Sequence, residues 1–288
     1  MAKYIAVIGA GTIGKDIARA IALAQIDVML YDINDTILRR SIETIKEDLQ
    51  QQVKQKTITG DELKALVGRI RPKTELKALG HSDIVIETTH EDMRVKKDLF
   101  KKLEDICRLN TILATNSSSL SITAIASVCK LRHKIVGMHF FHPAHIMKLV
   151  EVVRGSETSD VTVKAVVELA TRMGKTPVVV GDTPGLIVDR IQRLYFGEAL
   201  RLLNENVATA EEIDRIVRLE GGFSSGPFMT LDQIGIDTDF ALTQSIYNQY
   251  YHTPRYRPHP LQKKMVEAGM LGVKTEIGFF KHERRFKV

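Results

Sequence analysis

An apolar run, Tyr4-Ile5-Ala6-Val7-Ile8, leads directly into Gly9-Ala10-Gly11-Thr12-Ile13-Gly14, and this junction constrains the fold more tightly than any other stretch. The run is continuous rather than alternating, as a strand covered on both faces of a parallel sheet requires. Ile17, Ala20, Ile21 and Ala24 then recur at helical spacing, so a helix is predicted from about Ile13 to Ala24. A second strand, Val28-Met29-Leu30-Tyr31, ends at Asp32, 18 residues beyond Gly14. Between a strand and a helix, three glycines at this spacing form a dinucleotide-binding turn. The first permits the sharp bend, the second lets backbone approach a pyrophosphate, and the third lets the helix pack on the strand. Gly9, Gly11, Thr12, Ile13 and Gly14 are therefore candidate cofactor contacts, with the phosphates expected at the helix N-terminus. Asp32 can accept both hydroxyls of a ribose, and its charge repels a 2′-phosphate. Ile33-Asn34 offers no arginine for that phosphate, so NAD is expected rather than NADP.

Further strands are expected at 70–73, 83–87, 111–115, 135–141, 148–153 and 177–181, with helices between them. A polar helical stretch over about 35–56 carries only a thin apolar stripe, Ile42, Ile45, Leu49 and Val53, and is expected to be mostly exposed. A helix over Val161–Met173 is stopped by Gly174. The pattern changes near Thr183-Pro184-Gly185. Beyond it come a helix over 186–205, a capping box at Thr209-Ala210-Glu211-Glu212, and helices near 228–251 and 260–269. The expected architecture is an α/β chain: a Rossmann-like, doubly wound domain over residues 1–183, then an all-helical domain over 184–288.

With 288 residues and 44% hydrophobic content, the chain can bury a sizeable core. The net charge of +6 is spread along the chain, without a run of five basic residues. The densest groups are Lys96-Lys97 with Lys101-Lys102 and the tail from Lys281 to Lys287, which read chiefly as solvated faces. A phosphorylated small ligand fits the excess charge better than a nucleic acid. Cys107 and Cys129 provide neither a disulfide framework nor a CxxC, which fits a reducing cytoplasm. The apolar opening is interrupted by glycines and followed at once by Lys15, Asp16 and Arg19, unlike a signal peptide. No run approaches the ~20 apolar residues of a membrane span.

The chemistry concentrates between Asn116 and Glu151. Ser117-Ser118-Ser119 follow the strand Ile112–Thr115, His139 ends the strand Ile135–Met138, and Glu151 lies 12 residues further on. Ligands bind at the carboxyl ends of strands in open α/β sheets, which places the serines and the histidine on the cofactor side. An imidazole oriented by a carboxylate is a proton acceptor tuned near neutrality. A neighbouring hydroxyl can hold a reacting oxygen. Beside a nicotinamide, such a set oxidises an alcohol. His139, His142 and His145 stand three apart, but Pro143 argues against the helix that would gather them on a zinc.

Over nearly its whole length the chain resembles the L-3-hydroxyacyl-CoA dehydrogenase family. The resemblance rests on Gly9–Gly14, Asp32, Glu87-Thr88-Thr89-His90-Glu91 through Lys96, and Asn116-Ser117-Ser118-Ser119-Leu120. It extends through Met138-His139-Phe140-Phe141, Met147-Lys148-Leu149-Val150-Glu151, Asp182-Thr183-Pro184-Gly185, Gly226-Pro227-Phe228 and Gly272-Val273-Lys274-Thr275. It implies oxidation of the 3-hydroxyl of an acyl-CoA thioester with NAD, by a homodimer associating through its helical domain. It makes His139 the general base, Glu151 its orienting acid, and Ser118 a contact to both the reacting oxygen and the cofactor. Glu91 and Lys96 match nicotinamide-ribose contacts, Lys274 a late basic residue reaching the cofactor, and Lys54 and Lys56 basic residues near the CoA phosphates.

The chain departs from the family pattern at three places. His142, expected at the cofactor, and Asp189, expected at the substrate, stand where the family usually has Asn, and Lys274-Thr275 is followed by Glu276 instead of Gly. Such a double exchange is expected to make a His142–Asp189 pair. Ending at residue 288, the chain is expected to stand alone, without a fused hydratase. Two other readings remain open: an NAD-dependent dehydrogenase of a free hydroxy acid, akin to gulonate dehydrogenases and crystallins, and a non-catalytic NAD-binding protein.

Overall fold

The structure, a computed structural model, describes residues 2–283. Of the basic tail, Arg284, Arg285 and Lys287 lie outside the described residues. The chain divides into two compact units, Met1–Leu186 and Ile187–Val288.

In the first unit, β1 (Ile5–Ile8), α1 (Thr12–Leu23), β2 (Val28–Tyr31), α2 (Asp35–Lys54), α3 (Gly60–Arg69) and β3 (Ile70–Lys73) come first. They are followed by β4 (Ile84–Glu87), α4 (Met93–Ile106), β5 (Ile112–Thr115), α5 (Ile122–Ala126) and β6 (Ile135–Phe140), then β7 (Leu149–Arg154), α6 (Asp160–Arg172) and β8 (Thr176–Gly181). The eight strands form one sheet in the order β3-β2-β1-β4-β5-β6-β7-β8. Every pairing is parallel except β6 with β7.

The continuous apolar strands follow from burial on both faces. Ile5 and Val7 enter one core cluster with Ile17 and Ile21 of α1, Leu38 and Ile45 of α2, and Val166 and Leu169 of α6. Ala6 and Ile8, one residue out of phase, enter another with Phe100 and Leu103 of α4 and Ile122 and Ile125 of α5. The order reverses at β1, whose neighbours are β2 and β4. At such a point the connections leave to opposite sides and open a crevice at the strand ends.

The long polar stretch is a single 20-residue helix, α2, capped by the Asn34 side chain, which accepts from the N–H groups of Thr36 and Ile37. Its buried stripe is Leu38, Ser41, Ile45 and Leu49. A salt bridge from buried Arg19 to Asp48 ties it to α1.

The second unit comprises α7 (Val188–Asn204), α8 (Ala210–Leu219), α9 (Pro227–Ile234), α10 (Ile236–Gln249) and α11 (Pro260–Glu267) around Phe196, Leu200, Ile213, Phe228 and Leu231. The Thr209–Glu212 capping box is present. The single helix expected near 228–251 is two. Gly235, at φ +96°, breaks it between α9 and α10, a backbone state open to glycine and costly for other residues.

Candidate active site

The dinucleotide turn is built as its glycines require. Gly9 has φ +96° and its N–H donates to Tyr31 O at 2.8 Å, joining the turn to the end of β2. A Cβ on Gly14 would lie 1.8 Å from Gly9 O, so only glycine lets α1 sit this close to the turn. A Cβ on Gly11 would meet nothing within 4 Å. Gly11 is also the N-cap of α1, which has neither a side-chain cap nor an acid in its first turn. Thr12 and Ile13 open that helix. An uncapped helix terminus beside open space suits a diphosphate, which would take up the first N–H groups. Asp32 is anchored for the ribose: Oδ2 accepts from Ala10 N at 2.8 Å and Oδ1 from Asn34 N at 2.9 Å. These residues fit NAD.

His139 lies near the end of β6 and pairs in register with Glu151 of β7. Its Nδ1 is 2.9 Å from Glu151 Oε2, and both residues are buried. With Nδ1 carrying the proton that the carboxylate accepts, Nε2 keeps its lone pair for a substrate proton. The ring lies 4.5 Å from that of Phe141, tilted by 59°. Asn116, at the end of β5, accepts from Phe140 N through Oδ1 at 2.8 Å and so ties the histidine's strand to the serine loop.

Ser118 is half-buried, between the buried Ser117 and Ser119. Its carbonyl accepts from Gly185 N at 3.2 Å. Asp182, in the same Asp182-Thr183-Pro184-Gly185 segment, binds Ser121 Oγ at 2.8 Å and Ile122 N at 3.0 Å, and accepts from Thr123 N and Oγ1 at 2.8 and 2.6 Å. Glu91 receives hydrogen bonds from Ser117 and Ser119. Burial pushes its carboxyl pKa up, but Lys96 and the two serines outweigh that and hold it below the ordinary value. Lys96 sits fully buried against Glu87, although its neighbourhood in the sequence reads as a solvated lysine cluster.

The acid that meets His142 is Asp16 of α1: Nδ1 to Oδ2 is 3.1 Å. His145 Nδ1 approaches the other oxygen of Asp16 at 3.5 Å. Within the first unit, His142 thus has an acid on the dinucleotide helix that the sequence reading did not name. Asp189 stands in the first turn of α7, in the second unit, one turn before Arg193. Lys274, also there, forms an ion pair with Asp237. Lys54 and Lys56 are exposed at the C-terminal end of α2.

Sequence reasoning missed Asp16, Glu87 and Lys175. Asp16 was detectable in principle, because it falls within the apolar phase of α1, where a charge requires a partner. Lys175 had no such signal. Its buried ammonium donates to Ala144 O at 2.6 Å and Met147 O at 2.8 Å, stapling the segment that follows His142, and burial lowers its pKa.

Residues 4–183 match the family model described as "3-hydroxyacyl-CoA dehydrogenase, NAD binding domain", and residues 185–282 match that of its C-terminal domain. The probable 3-hydroxybutyryl-CoA dehydrogenase of Bacillus subtilis is 39% identical, over 98% of this chain and 98% of its own. The 3-hydroxyadipyl-CoA dehydrogenase of Escherichia coli is 42% identical over 96% of this chain, which spans only 58% of that relative's length. A crystal structure of 3-hydroxybutyryl-CoA dehydrogenase from E. coli K12 superposes with TM-score 0.94 at 41% identity, covering 100% of this chain and 61% of that one.

Proposed function

This chain belongs to the 3-hydroxyacyl-CoA dehydrogenase family, and on that premise we propose that it oxidises the hydroxyl of a short- or medium-chain (S)-3-hydroxyacyl-CoA, such as 3-hydroxybutyryl-CoA, to the ketone, reversibly and with NAD. The observation that carries this reading is the buried His139–Glu151 pair, with His139 toward the carboxyl end of β6 and the dinucleotide turn at the carboxyl end of the parallel strand β1. His139 Nε2 takes the hydroxyl proton as the C3–H bond breaks. Glu151 accepts the Nδ1 proton throughout, keeping the ring in the productive tautomer and stabilising the imidazolium that forms. The Ser118 hydroxyl holds the reacting oxygen. NAD, when bound, supplies the acceptor for the hydride leaving C3.

Around this centre, Gly9, Gly11, Thr12, Ile13, Gly14 and Asp32 would hold the dinucleotide, with Glu91, Lys96, His142 and Lys274 at its nicotinamide end. Lys54 and Lys56 would meet the CoA phosphates, and Asp189 would lie toward the substrate. Association of two copies through the second unit is part of the same reading, supported by Ile216 and Leu219, which are exposed three residues apart on α8. No helix among the described residues is long and apolar enough to cross a membrane. A cytoplasmic setting accords with two free cysteines, whose thiol pKa values burial pushes up to about 11.

The test is oxidation of NADH, followed at the reduced-nicotinamide absorbance, with acetoacetyl-CoA, with free acetoacetate, and with NADPH in place of NADH. Turnover of the thioester with NADH alone is expected. Turnover of the free acid would overturn the substrate assignment, and cofactor binding without any turnover would overturn catalysis altogether.

A further inference from the structure

Between the base strand β6 and the acid strand β7 runs the connection 141–148. A tight hairpin turn sets the register of its strands by itself, whereas a longer connection leaves register to other contacts. Here those contacts come from the end of α6. Gly174, at φ +69°, turns the chain back, its N–H donating to Thr171 O at 2.9 Å and that of Lys175 to Ala170 O at 3.0 Å. Lys175 is thereby set just before β8. It is 8% exposed, and its ammonium donates to Ala144 O at 2.6 Å and Met147 O at 2.8 Å. The N–H of the next residue, Thr176, donates to Lys148 O at 2.7 Å. Two adjacent residues thus hold the carbonyls of Ala144, Met147 and Lys148, up to the point where β7 begins with Leu149 in register with Thr176. The gripped segment is itself compact, since Pro143 O accepts from the N–H groups of both Ile146 and Met147 at 2.9 Å. Burying an ammonium costs solvation, and an apolar side chain would fill the same space without that cost. What the ammonium adds is its hold on two backbone carbonyls.

We infer that Lys175 is a positioning residue for the base–acid pair: by gripping Ala144 O and Met147 O it fixes the start of β7, and with it the register that sets Glu151 opposite His139. The inference rests on the proposed roles of His139 and Glu151. A slip of β7 by one residue would turn Glu151 to the other face of the sheet. A smaller displacement would lengthen the 2.9 Å bond that holds the tautomer of His139.

The experiment compares wild type, Lys175→Met, Glu151→Ala and the double variant for kcat and kcat/KM with acetoacetyl-CoA and NADH. The proton spectrum of the imidazole N–H region is recorded for each, with His139→Gln identifying the His139 resonance. Small misplacements of a reacting group lower turnover strongly, so Lys175→Met should lose about tenfold or more in kcat. kcat/KM should fall in step, as expected when the loss is confined to the transition state. The His139 N–H resonance should broaden or vanish. In the Glu151→Ala background nothing is left to position, so Lys175→Met should change kcat by less than about twofold there. A purely structural lysine would instead multiply the two losses, and that result would overturn the inference. Wild-type kcat in Lys175→Met would overturn it as well, and so would a lowered kcat beside an unchanged His139 resonance. Should Lys175→Met not fold, Lys175→Gln, polar but too short to reach both carbonyls, is read in the same cycle. Full activity in Glu151→Ala would refute the base–acid reading itself, while the resonance still reports whether Lys175 holds the pair together.

Discussion

His139 and Glu151 are 12 residues apart in the chain and directly opposite each other in the sheet, joined Nδ1 to Oε2 at 2.9 Å. The antiparallel course of β7 makes this possible. A parallel partner would need a crossover of a dozen or more residues, usually a helix, whereas an antiparallel return needs only a short loop. Glu151 is thereby held in register between His139 of β6 and Val178 of β8.

Replacing Glu151 with Gln leaves the shape of the pair but removes the charge that stabilises the imidazolium. General-base catalysis contributes roughly 10²–10⁴-fold, and most of that should be lost from kcat while the NAD Kd stays the same. Steady-state rates together with a cofactor titration check this. An enzyme within twofold of wild type would refute the assignment of Glu151.

Gly11 and Gly14 should fail in different ways. A methyl at Gly14 collides with the backbone of Gly9, and one at Gly11 enters open space. Gly14→Ala should unfold more easily without any ligand, since overpacking of this kind costs about 1–3 kcal/mol. Gly11→Ala should keep its Tm and bind NAD more weakly. Thermal melts with and without NAD separate the two, and equal destabilisation would contradict the geometry.

His145 should make stability pH-dependent. Its pKa lies below the ordinary 6.5, first because of burial and then because of Arg19, against the opposing pull of Asp16 and Asp48. A histidine depressed in the folded state binds protons better when unfolded, so its contribution is complete above 6.5 and is lost as the pH falls toward the folded value. Asp16 remains charged through this window. Burial pushes its carboxyl up, but the His142 hydrogen bond and the charges of His145, His142 and Lys15 keep it below 3.8. Tm should fall less for His145→Gln than for wild type between about pH 7.5 and pH 5.5. Parallel curves would count against a His145 depressed by burial.

In the second unit, Arg193 and Asp239 form a salt bridge with side chains 2% and 1% exposed. Gln262 Nε2 also donates to Asp239, at 2.7 Å. Arg193→Met strands a buried acid and should cost roughly 3–5 kcal/mol in urea unfolding, and Asp239→Leu added to it should recover part of the loss. A loss under about 1 kcal/mol would mark the pair as no better than an exposed one.

The strands and the dinucleotide turn were legible because each announces itself locally. β1, β2, β4 and β5 are short apolar runs that polar or glycine residues end, and Asp32 is the first charge after its strand. The helix break at Gly235 was less legible, since 228–251 keeps its apolar spacing across it and only the φ of +96° marks the stop. Lys96 misled for a different reason. Beside Lys97, Lys101 and Lys102 it reads as a solvated charge, and its partner Glu87 lies nine residues upstream on another element.

The sequence by itself determined the architecture, the dinucleotide turn and the residue types of the centre, because those depend on short-range periodicity and on glycines whose steric needs are local. Only the tertiary structure decided which charges meet. Glu91 gathers serines 26 and 28 residues away, Asp16 takes His142 from across the sheet order, and Lys96 disappears beneath Glu87 and Glu91. A buried ionic group is stable only where its partners converge on it, and that convergence is a property of the folded chain rather than of any one segment.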